Sequence, residues 1–438
     1  MKKTKNTGIS LWKKAKKIIP GGTQLLSKRS EMFLPDQWPS YYSKAKGVEI
    51  WDLDGKKYTD MSIMGVGACI LGYADNDVNA AVHAAVDKGS ITTLNCPEEV
   101  DLAELLLKLH PWADMVRYTK TGGEAMAVAV RIGRAHTGKD IVAFCGYHGW
   151  HDWYLAANLA DNKNLDGQLL PGLEPKGVPR GLKGTALPFN YNNLTELENI
   201  VEKNDIGVIV MEPLRHHEPA PGFLSGVRKI ADEIGAVLIF DEVTSGWRMN
   251  VGGVHALYKI IPDIAVYGKA MSNGYSMAAI VGKKEVMESA QESFISSTYW
   301  TEGIGLVASI ATINKCIDKK VPDHLIAIGK QISRGWENLS KEYSLPLEVM
   351  GIPPLTTFHF ISDNSQVIHT LFTQEMLKRG FLAYKSVYVS YSHSNLHVED
   401  YLSNVQEVFS IIQQGIENGK INSLLKGPVA HEGFKRLT

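Results

Sequence analysis

The chain has 438 residues, of which 44% are hydrophobic and 21% charged, and its 46 basic residues nearly balance its 47 acidic ones. This composition is typical of a globular protein and excludes wholesale disorder, and the balanced charge offers no chain-wide attraction for nucleic acid or an anionic membrane. No apolar stretch approaches the ~20 residues of a membrane span. The basic N-terminus, with Lys2, Lys3 and Lys5, has no apolar segment after it, and the four cysteines form no CxxC pair. We therefore expect a cytoplasmic protein with reduced thiols and exclude a disulfide scaffold.

Helical periodicity and short apolar strands alternate along the chain from about residue 76. Before that point, the sequence predicts a helix over Leu11–Ile19 and a β-hairpin that begins at Glu49 and turns at Asp54-Gly55. The predicted helices that follow are Val78–Lys88, Val100–Leu109, Glu124–His136, Leu194–Lys203, Ser225–Ile234 and a helix near Ile304–Ile317. The predicted strands are Met115–Tyr118, Ile141–Phe144, Ile206–Met211, Val237–Phe240, Ile264–Tyr267 and Ala278–Val281. Such alternation predicts an α/β protein whose mainly parallel sheet is covered by helices on both faces.

Two regions depart from this alternation. The segment Asn158–Asn193 is rich in Gly, Pro and Asn and has little periodicity, which favours a lid or binding loop, with a surface insertion as the alternative. After the helix near Ile304–Ile317, the pattern changes to an α+β alternation that continues to the end of the chain. We therefore place a second, smaller domain in the C-terminal part.

A glycine pair follows the first strand of the predicted sheet. Ligands bind at the carboxyl ends of the strands in open parallel sheets, so the residues at these ends carry the candidate chemistry. Gly122 and Gly123 open a helix directly after the strand Met115–Tyr118. Their turn is either a phosphate site formed by free backbone N–H groups or an ordinary strand-to-helix connection.

Aromatic, histidine and acidic residues follow the next two strands of the parallel pattern. Tyr147 offers a planar ring on which a flat heterocycle can stack. His148 and His151 are three residues apart, but no Cys or acidic residue lies at a ligand spacing nearby, so we predict no metal site. His148 is either a site residue or a satisfied structural histidine. Glu212, directly after the strand Ile206–Met211, adds an acidic group at a strand end.

Asp241 and Lys269 follow two apolar strands and are 28 positions apart (269 − 241), about one βαβ step. A buried carboxylate in the position of Asp241 is costly without a cationic or protonated partner. Asp241 either meets such a partner in a ligand or has a structural role, as a helix cap or in an ion pair. Burial of Lys269 would lower its pKa and make its amine nucleophilic, although a lone lysine is more often a surface charge. A phosphate turn, a stacking ring, a carboxylate for a ring nitrogen and an amine for a Schiff base together indicate pyridoxal 5′-phosphate (PLP), whose ring acts as an electron sink.

One segment is similar to a nucleotide-binding loop. Gly133 to Lys139 nearly matches the pattern GxxxxGK[ST], which makes an NTPase the remote alternative. However, Asp140 occupies the position of the hydroxyl ligand for Mg²⁺. The loop also lies between a helix and a following strand, which is the reverse of the required order. We therefore favour a PLP enzyme, and a non-enzymatic binding or scaffold role has no positive support in the sequence.

Several of these motifs, in this order, resemble the class III PLP-dependent aminotransferases, and within them the branch of glutamate-1-semialdehyde 2,1-aminomutase. The matching blocks cover most of the chain: Ile19 to Gly22, Glu49 to Gly55, Gly122 to Ala125, Gly146 to Gly149, Phe240 to Arg248, and Gly268-Lys269. The resemblance implies fold type I of the PLP-dependent transferases, with a seven-stranded, mainly parallel sheet in a large domain plus a smaller α+β domain. It predicts that residues 1–60 join the small domain, residues 61–318 form the large PLP-binding domain and residues 319–438 form the C-terminal small domain.

The resemblance also implies roles for individual residues. Lys269 would form the Schiff base with PLP, Asp241 would pair with the pyridine nitrogen and Tyr147 would stack on the ring, and we take these three as catalytic residues. The cofactor-binding set is completed by Gly122 and Gly123 at the phosphate, Val243 on the other ring face, His148, Glu212 and Thr298. The family implies a homodimer with active sites at the subunit interface, in which Thr298 would reach the phosphate in the site of the neighbouring subunit.

Positions on the substrate side differ from the aminomutase. The aminomutase binds its substrate with an arginine soon after Pro-Gly-Gly, and the matching position here is Lys28, with Arg29 beside it. The aminomutase also has a glutamate late in its small domain, and the matching stretch here, Lys385–Val389, contains no acidic residue. The loop after Glu212 also differs and contains Arg215. We therefore predict an aminotransferase that moves an amino group from an amino-acid donor to an aldehyde or ketone acceptor, with Lys28, Arg29 and Arg215 as candidate substrate residues. An intramolecular aminomutase is the alternative.

Overall fold

The computed structural model describes residues 6–168 and 170–434, which form two compact units. One unit combines the chain up to Asp75 with the chain from His324 onwards, and the other comprises Asn76–Asp323. The basic residues Lys2, Lys3 and Lys5 lie outside the described residues. None of the helices within residues 6–168 and 170–434 has the length and apolar character needed to cross a membrane.

Strands and helices alternate through the middle of the chain. The strands are β1 (Tyr42–Lys46), β2 (Glu49–Asp52), β3 (Lys57–Met61), β4 (Met115–Thr119), β5 (Ile141–Cys145), β6 (Ala186–Pro188), β7 (Ile206–Met211), β8 (Val237–Asp241), β9 (Ile264–Tyr267), β10 (Ala278–Gly282), β11 (Leu347–Met350), β12 (Leu355–Phe360), β13 (Phe381–Ala383) and β14 (Ser386–Tyr388). The α-helices are α1 (Thr7–Ile18), α2 (Asn76–Lys88), α3 (Glu98–Leu109), α4 (Gly122–Thr137), α5 (Asp152–Leu155), α6 (Leu194–Lys203), α7 (Phe223–Ile234), α8 (His255–Tyr258), α9 (Lys284–Met287), α10 (Gly303–Asp318), α11 (Val321–Glu342), α12 (Ser365–Lys378) and α13 (Asn395–Glu417).

A seven-stranded sheet forms the centre of the unit Asn76–Asp323. Its strand order is β4-β10-β9-β8-β7-β5-β6, and neighbours pair in parallel except for β10, which is antiparallel to β4 and β9. Successive side chains point to opposite faces, so Val208 and Val210 pack with α4 on one face while Ile209 and Met211 pack with α6 and α7 on the other. Both faces of the sheet are therefore buried, and each buried aliphatic side chain contributes about 1.5–3 kcal/mol to stability.

The predicted α/β fold with a seven-stranded, mainly parallel sheet is confirmed. The helices and strands predicted between residues 78 and 317 begin and end within two residues of their observed limits. The predicted hairpin is also present, because β2 and β3 pair antiparallel around a turn in which Gly55 has a φ of 81°.

The segment Asn158–Asn193 contains more structure than its composition indicates. Ala186–Pro188 forms β6, an edge strand parallel to β5, and the side chains of Leu165 and Val178 are buried in the core. Three residues that end in a proline are too few to produce a recognisable alternation, which is why the sequence did not predict this strand. Leu169 lies outside the described residues.

Both ends of the chain contribute to the other unit. The parallel pairing of β3 with β13 completes a four-stranded sheet, β1-β2-β3-β13, and β11, β12 and β14 form a three-stranded antiparallel sheet.

The unit boundaries differ from the predicted domain limits at residues 60 and 318. The first lies after Asp75, because the segment that follows β3 bonds to the C-terminal part of the chain: the Tyr388 N–H donates to the Ser62 carbonyl, and the Tyr391 N–H donates to the Ile70 carbonyl. The second lies after Asp323, inside α11, where a continuous helix gives no sequence signal of a boundary.

The segment that is similar to a nucleotide-binding loop connects α4 to β5. Gly138 ends α4 with a φ of 67°, and the Lys139 amine pairs with the Asp205 carboxylate at 2.8 Å. A helix–loop–strand order with an ion-paired lysine does not fit a nucleotide-binding loop.

Candidate active site

Six of the seven strands point in one direction, so their carboxyl ends share one edge of the sheet, and five of these ends carry predicted site residues. Because β10 is antiparallel to both neighbours, β4 points in the same direction as β5, β7, β8 and β9. The residues at or just after these five ends include most of the predicted site: Gly122, Gly123, Tyr147, His148, Glu212, Asp241, Val243 and Lys269. Parallel sheets bind their ligands at this edge.

A capping box begins α4. Thr121 Oγ1 accepts a hydrogen bond from the Glu124 N–H at 3.4 Å, and Glu124 Oε2 accepts one from the Thr121 N–H at 3.0 Å. These two bonds leave the N–H groups of Gly122 and Gly123, the first two residues of the helix, directed to the space in front of it. Two N–H groups at the positive end of a helix dipole suit a phosphate.

Glycines allow other segments to approach closely at this edge. A Cβ on Gly122 would lie 2.8 Å from Val243 Cγ1, and a Cβ on Gly146 would lie 2.7 Å from Glu212 Oε2. Gly146 also has a φ of 109°, in the region that favours glycine. A side chain at either position would displace Val243 or Glu212, so these glycines set the width of the site.

Asp241, the last residue of β8, has a hydrogen-bond partner on each carboxylate oxygen. Its Oδ1 accepts from the Val243 N–H at 3.0 Å, and its Oδ2 lies 2.8 Å from His148 Nδ1. His148 Nε2 lies 3.0 Å from the Cys145 carbonyl, which can only accept. His148 therefore donates from Nε2 to this carbonyl, and its Nδ1 shares a proton with the Asp241 carboxylate in a buried pair.

Lys269 directly follows Gly268 at the end of β9 and has a φ of 42°, a conformation that costs a residue with a side chain about 1–3 kcal/mol and is frequent at active sites. Its Nζ donates to Thr244 Oγ1 at 2.8 Å. Burial and the positive charges of Arg215 and Arg248 lower the pKa of Lys269 to about 8, with Glu212 and Asp241 opposing the shift. The amine is therefore held in place and more easily deprotonated than that of an ordinary lysine.

Glu212 connects the segments that follow β5 and β7. Its Oε2 accepts from the Tyr147 N–H at 3.1 Å, and its Oε1 accepts from Arg215 Nη1 at 2.8 Å. The Tyr147 ring packs edge-on against the Tyr154 ring, with 5.9 Å between ring centres. Glu212 thereby places an aromatic ring and an arginine beside the same sheet edge.

A buried network behind Asp241 was missed by the sequence analysis. Glu242 is fully buried and accepts from Ser245 Oγ, from the N–H groups of Val254 and His255, and from His255 Nδ1. Trp112 Nε1 donates to His255 Nε2 at 3.1 Å. The network anchors both ends of the segment that carries Val243 and Thr244. No local pattern identifies it, because its partners meet only in the folded chain.

The groups at this edge match the parts of PLP by their chemistry. The free N–H groups of α4 suit the phosphate, the desolvated Lys269 amine suits the aldehyde, and the Asp241 carboxylate suits a protonated ring nitrogen. Val243 lies beside both Gly122 and Gly268. Its side chain and the Tyr147 ring offer apolar surfaces for the two faces of the cofactor ring.

The aminotransferase class-III family matches residues 35–414 of the chain. The chain belongs to the class-III aminotransferase family. It is therefore a PLP-dependent aminotransferase, and the cofactor, the enzyme class and the family predicted from the motifs are confirmed.

Relatives of this class-III aminotransferase match it over nearly their whole lengths. It is 32% identical over 402 residues to the 3-aminobutyryl-CoA aminotransferase of Cloacimonas acidaminovorans, covering 88% of this chain and 92% of the relative. It is 28% identical over 429 residues to a glutamate-1-semialdehyde 2,1-aminomutase of Methanothrix thermoacetophila, covering 94% and 97%. The solved PLP internal aldimine form of the FumI protein of Sphingopyxis sp. MTA144 superimposes with a TM-score of 0.85 at 24% identity, covering 95% and 99%, which establishes the fold.

The remaining predicted residues of the aminotransferase lie elsewhere. Thr298 is exposed and begins the 3-10 turn Thr298–Thr301, before α10. Lys28 and Arg29 belong to the unit formed by both chain ends, where the Arg29 guanidinium lies 5.7 Å from the ring centre of Phe434. Their substrate roles stay predictions. Among the residues that the structure describes, no group of three or more His, Cys, Asp or Glu is placed to hold a metal ion.

Proposed function

We propose that the enzyme moves an amino group from an amino-acid donor to an aldehyde or ketone acceptor, with Lys269 as the residue that binds the PLP aldehyde. The donor leaves as a keto acid, and the acceptor leaves as an amine. The observation that carries the proposal is the environment of Lys269, whose constrained amine has a pKa lowered by burial to about 8 and lies at the same sheet edge as Asp241.

Lys269 and its neighbours supply the proton chemistry. An amine with a pKa of about 8 is a suitable base near neutral pH, and we assign to Nζ the removal of the proton from the substrate Cα. The Thr244 hydroxyl, which accepts from Nζ, holds the amine in position. When bound, PLP supplies a protonated ring that accepts the electron pair of the broken Cα–H bond. Asp241, which is hydrogen-bonded to His148, would keep the ring nitrogen protonated.

Arg215 supports an anionic substrate. Its guanidinium pairs with Glu212 and is close enough to lower the pKa of Lys269. A carboxylate or another anionic group of a substrate can therefore exchange with Glu212 as a partner of Arg215, as expected of planar guanidinium groups. The 32% identical relative is named for a 3-amino acyl-CoA, so 3-oxo acids and their thioesters belong among the acceptors to be tested.

Removal of the Arg215 guanidinium should weaken the binding of anionic substrates. In Arg215→Gln, we expect the KM of a carboxylate-bearing donor to rise about 10- to 100-fold, because a hydrogen bond between charged groups contributes about 1.5–3 kcal/mol. The KM of an uncharged amine donor should change little, because any effect of the Arg215 charge on Lys269 acts on the kcat of both kinds of donor. The measurement is the steady-state release of the carbonyl product of each donor across a panel of donors and acceptors. Arg131→Gln, which alters an exposed arginine of α4, is the control, and an equal loss for charged and uncharged donors would contradict the assignment.

Similarity to the aminomutases favours one second candidate, an intramolecular amino shift in a single amino aldehyde. The same panel separates the two reactions. An aminotransferase releases one keto acid from the donor in a single turnover without an acceptor, whereas a mutase returns an isomer of its only substrate and releases no keto acid.

We also propose that the enzyme is a homodimer with shared active sites. Two large apolar side chains are exposed in the single chain: Phe294 is 87% exposed and Leu94 is 81% exposed. Phe294 lies four residues before Thr298. Leu94 belongs to the segment whose Ser90 carbonyl accepts a hydrogen bond from the Gly303 N–H. Exposed apolar surface of this kind favours a protein interface. In the dimer, Thr298 would donate its hydroxyl to the phosphate in the neighbouring site.

Mixed dimers test this arrangement. Thr298→Ala should weaken PLP binding about 10-fold through the loss of one charged hydrogen bond, and Lys269→Ala should be inactive. If Thr298 acts across the interface, a heterodimer of the two variants contains one site with both wild-type residues and regains about half of the wild-type activity at low PLP. If Thr298 acts within its own subunit, neither site is intact and the affinity for PLP is not restored.

We further propose a cytoplasmic location. Cys69, Cys96 and Cys145 are free thiols, and burial raises the pKa of Cys69 to about 11. Unpaired and unreactive thiols are typical of proteins from reducing compartments.

A further inference from the structure

His151 lies against the first turn of α4. A Cβ on Gly123 would be 3.1 Å from His151 Cε1 and 3.2 Å from His151 Nδ1, so a side chain at residue 123 would push the imidazole back by a few tenths of an ångström. A Cβ on Gly149 would in turn lie 3.2 Å from Gly123 Cα. The loop after β5 therefore folds directly over the two N–H groups that the capping box leaves without a partner.

The imidazole of His151 has an unused polar atom at this position. Among the described residues, Nδ1 has no hydrogen-bond partner although the atom itself is buried. The Trp150 indole stacks on the ring with 4.4 Å between ring centres and an interplanar angle of 25°. A buried nitrogen without a partner is unfavourable by about 1–3 kcal/mol, so a bound group that pairs with Nδ1 would be stabilised here.

The N-terminus of α4 favours an anion as this partner, although the charged side chains nearest to His151, Glu124 and Asp152, are acidic. Burial lowers the pKa of His151, whereas Glu124 and Asp152 oppose the shift. The ring nitrogen lies beside the positive end of the α4 dipole and beside the unpartnered N–H groups of Gly122 and Gly123. Three donors then lie at this helix end if Nδ1 carries the proton, and N–H donors at a helix N-terminus suit a phosphate.

We propose that His151 donates a hydrogen bond from Nδ1 to the phosphate of PLP, together with the N–H groups of Gly122 and Gly123. This inference rests on the proposed function, because it takes the N-terminus of α4 as the phosphate site. His151 is then a side-chain donor from within the same subunit, while Gly123 leaves the space that its ring needs. Trp150 holds the ring in the required orientation by stacking.

The affinities for PLP and for pyridoxal, which has the same ring and aldehyde but no phosphate, test the proposal without any measurement of turnover. In His151→Phe, which keeps the ring stack but removes the donor, the Kd of PLP should rise about 10- to 100-fold, and the Kd of pyridoxal should stay within about twofold. His151→Asn, whose amide nitrogen replaces Nδ1, should recover most of the affinity for PLP. His83→Asn, a change at an exposed histidine of α2, is the matched control.

The outcomes separate the inference from the proposed function. If the wild-type enzyme binds PLP and pyridoxal equally, the N-terminus of α4 is not the phosphate site and both fail. If wild type strongly prefers PLP and His151→Phe keeps that preference, the role of His151 alone is refuted. Equal weakening for both ligands, or an apoenzyme Tm lowered by several degrees in both His151 variants, assigns His151 a structural role and also overturns the inference.

Discussion

Replacement of Lys269 by alanine should reduce turnover by at least about 10⁴-fold, the upper end of what a positioned acid–base group contributes. The variant loses both the amine that binds the PLP aldehyde and the base that we assign to the substrate proton. Folding should be little changed, because the Lys269 side chain contributes one hydrogen bond, to Thr244, and no ion pair. Borohydride reduction of the wild-type holoenzyme should attach the cofactor to the peptide that contains Lys269, and the variant should show no attachment.

The pH dependence of Lys269 provides a second measurement on the same residue. Its pKa is lowered by burial to about 8, so the neutral amine forms as the pH rises through about 8. An ordinary lysine reaches the same point near pH ~10.4. In the apoenzyme, labelling of Lys269 by an amine-selective reagent should therefore have its midpoint near pH 8. Lys284→Ala, at a lysine whose side chain is 67% exposed, is the control and should keep full activity. Cofactor attachment to any other lysine would falsify the assignment.

The Asp241→Asn variant should still bind PLP, but its kcat/KM should fall about 10²- to 10⁴-fold. The substitution removes the carboxylate that pairs with His148 Nδ1 in the buried interior, and the loss of one member of a buried pair lowers stability by about 3–5 kcal/mol. A neutral amide also stabilises a protonated ring nitrogen less than a carboxylate does. Single-turnover keto-acid release and the Kd of PLP, measured on the same samples, distinguish a loss of chemistry from a loss of cofactor.

Two variants show which part of the effect belongs to the charge of Asp241. Asp232→Asn, at an exposed carboxylate of α7 that pairs with Arg228, should behave as wild type. His148→Gln keeps the carboxylate but removes the imidazole that is hydrogen-bonded to it, and we expect a smaller loss of about 10- to 100-fold. Wild-type rates in Asp241→Asn would show that the carboxylate has no electronic role and serves only to hold His148.

Much of the fold and the positions of the site residues were predictable from local sequence. A strand buried on both faces needs an uninterrupted apolar run, and Ile206–Met211 is such a run in which all six residues are buried. The polar residue that ends each run then stands out, as Glu212 does after β7 and Lys269 does soon after β9. The class of cofactor followed because few ligands require an amine, a carboxylate and a helix N-terminus together.

Contacts between these residues depended on the tertiary structure. His148 and Asp241 are 93 positions apart, and their hydrogen bond exists because β5 and β8 lie on either side of β7 in the same sheet. Thr244 became a partner of Lys269 only through the turn that follows β8. The short strand β6 also formed against an existing neighbour, β5, and not through any pattern of its own.

The sequence by itself determined all strands of the seven-stranded sheet except β6, the chemical groups at the ends of those strands, and the family to which the chain belongs. Only the tertiary structure decided which partner each group has: Asp241 with His148, Glu212 with Arg215, and His151 beside Gly123. The physical reason is one of range. Burial and helical or strand periodicity act over neighbouring residues and leave a local pattern, whereas a hydrogen bond or an ion pair depends on distances of about 3 Å between residues far apart in the chain.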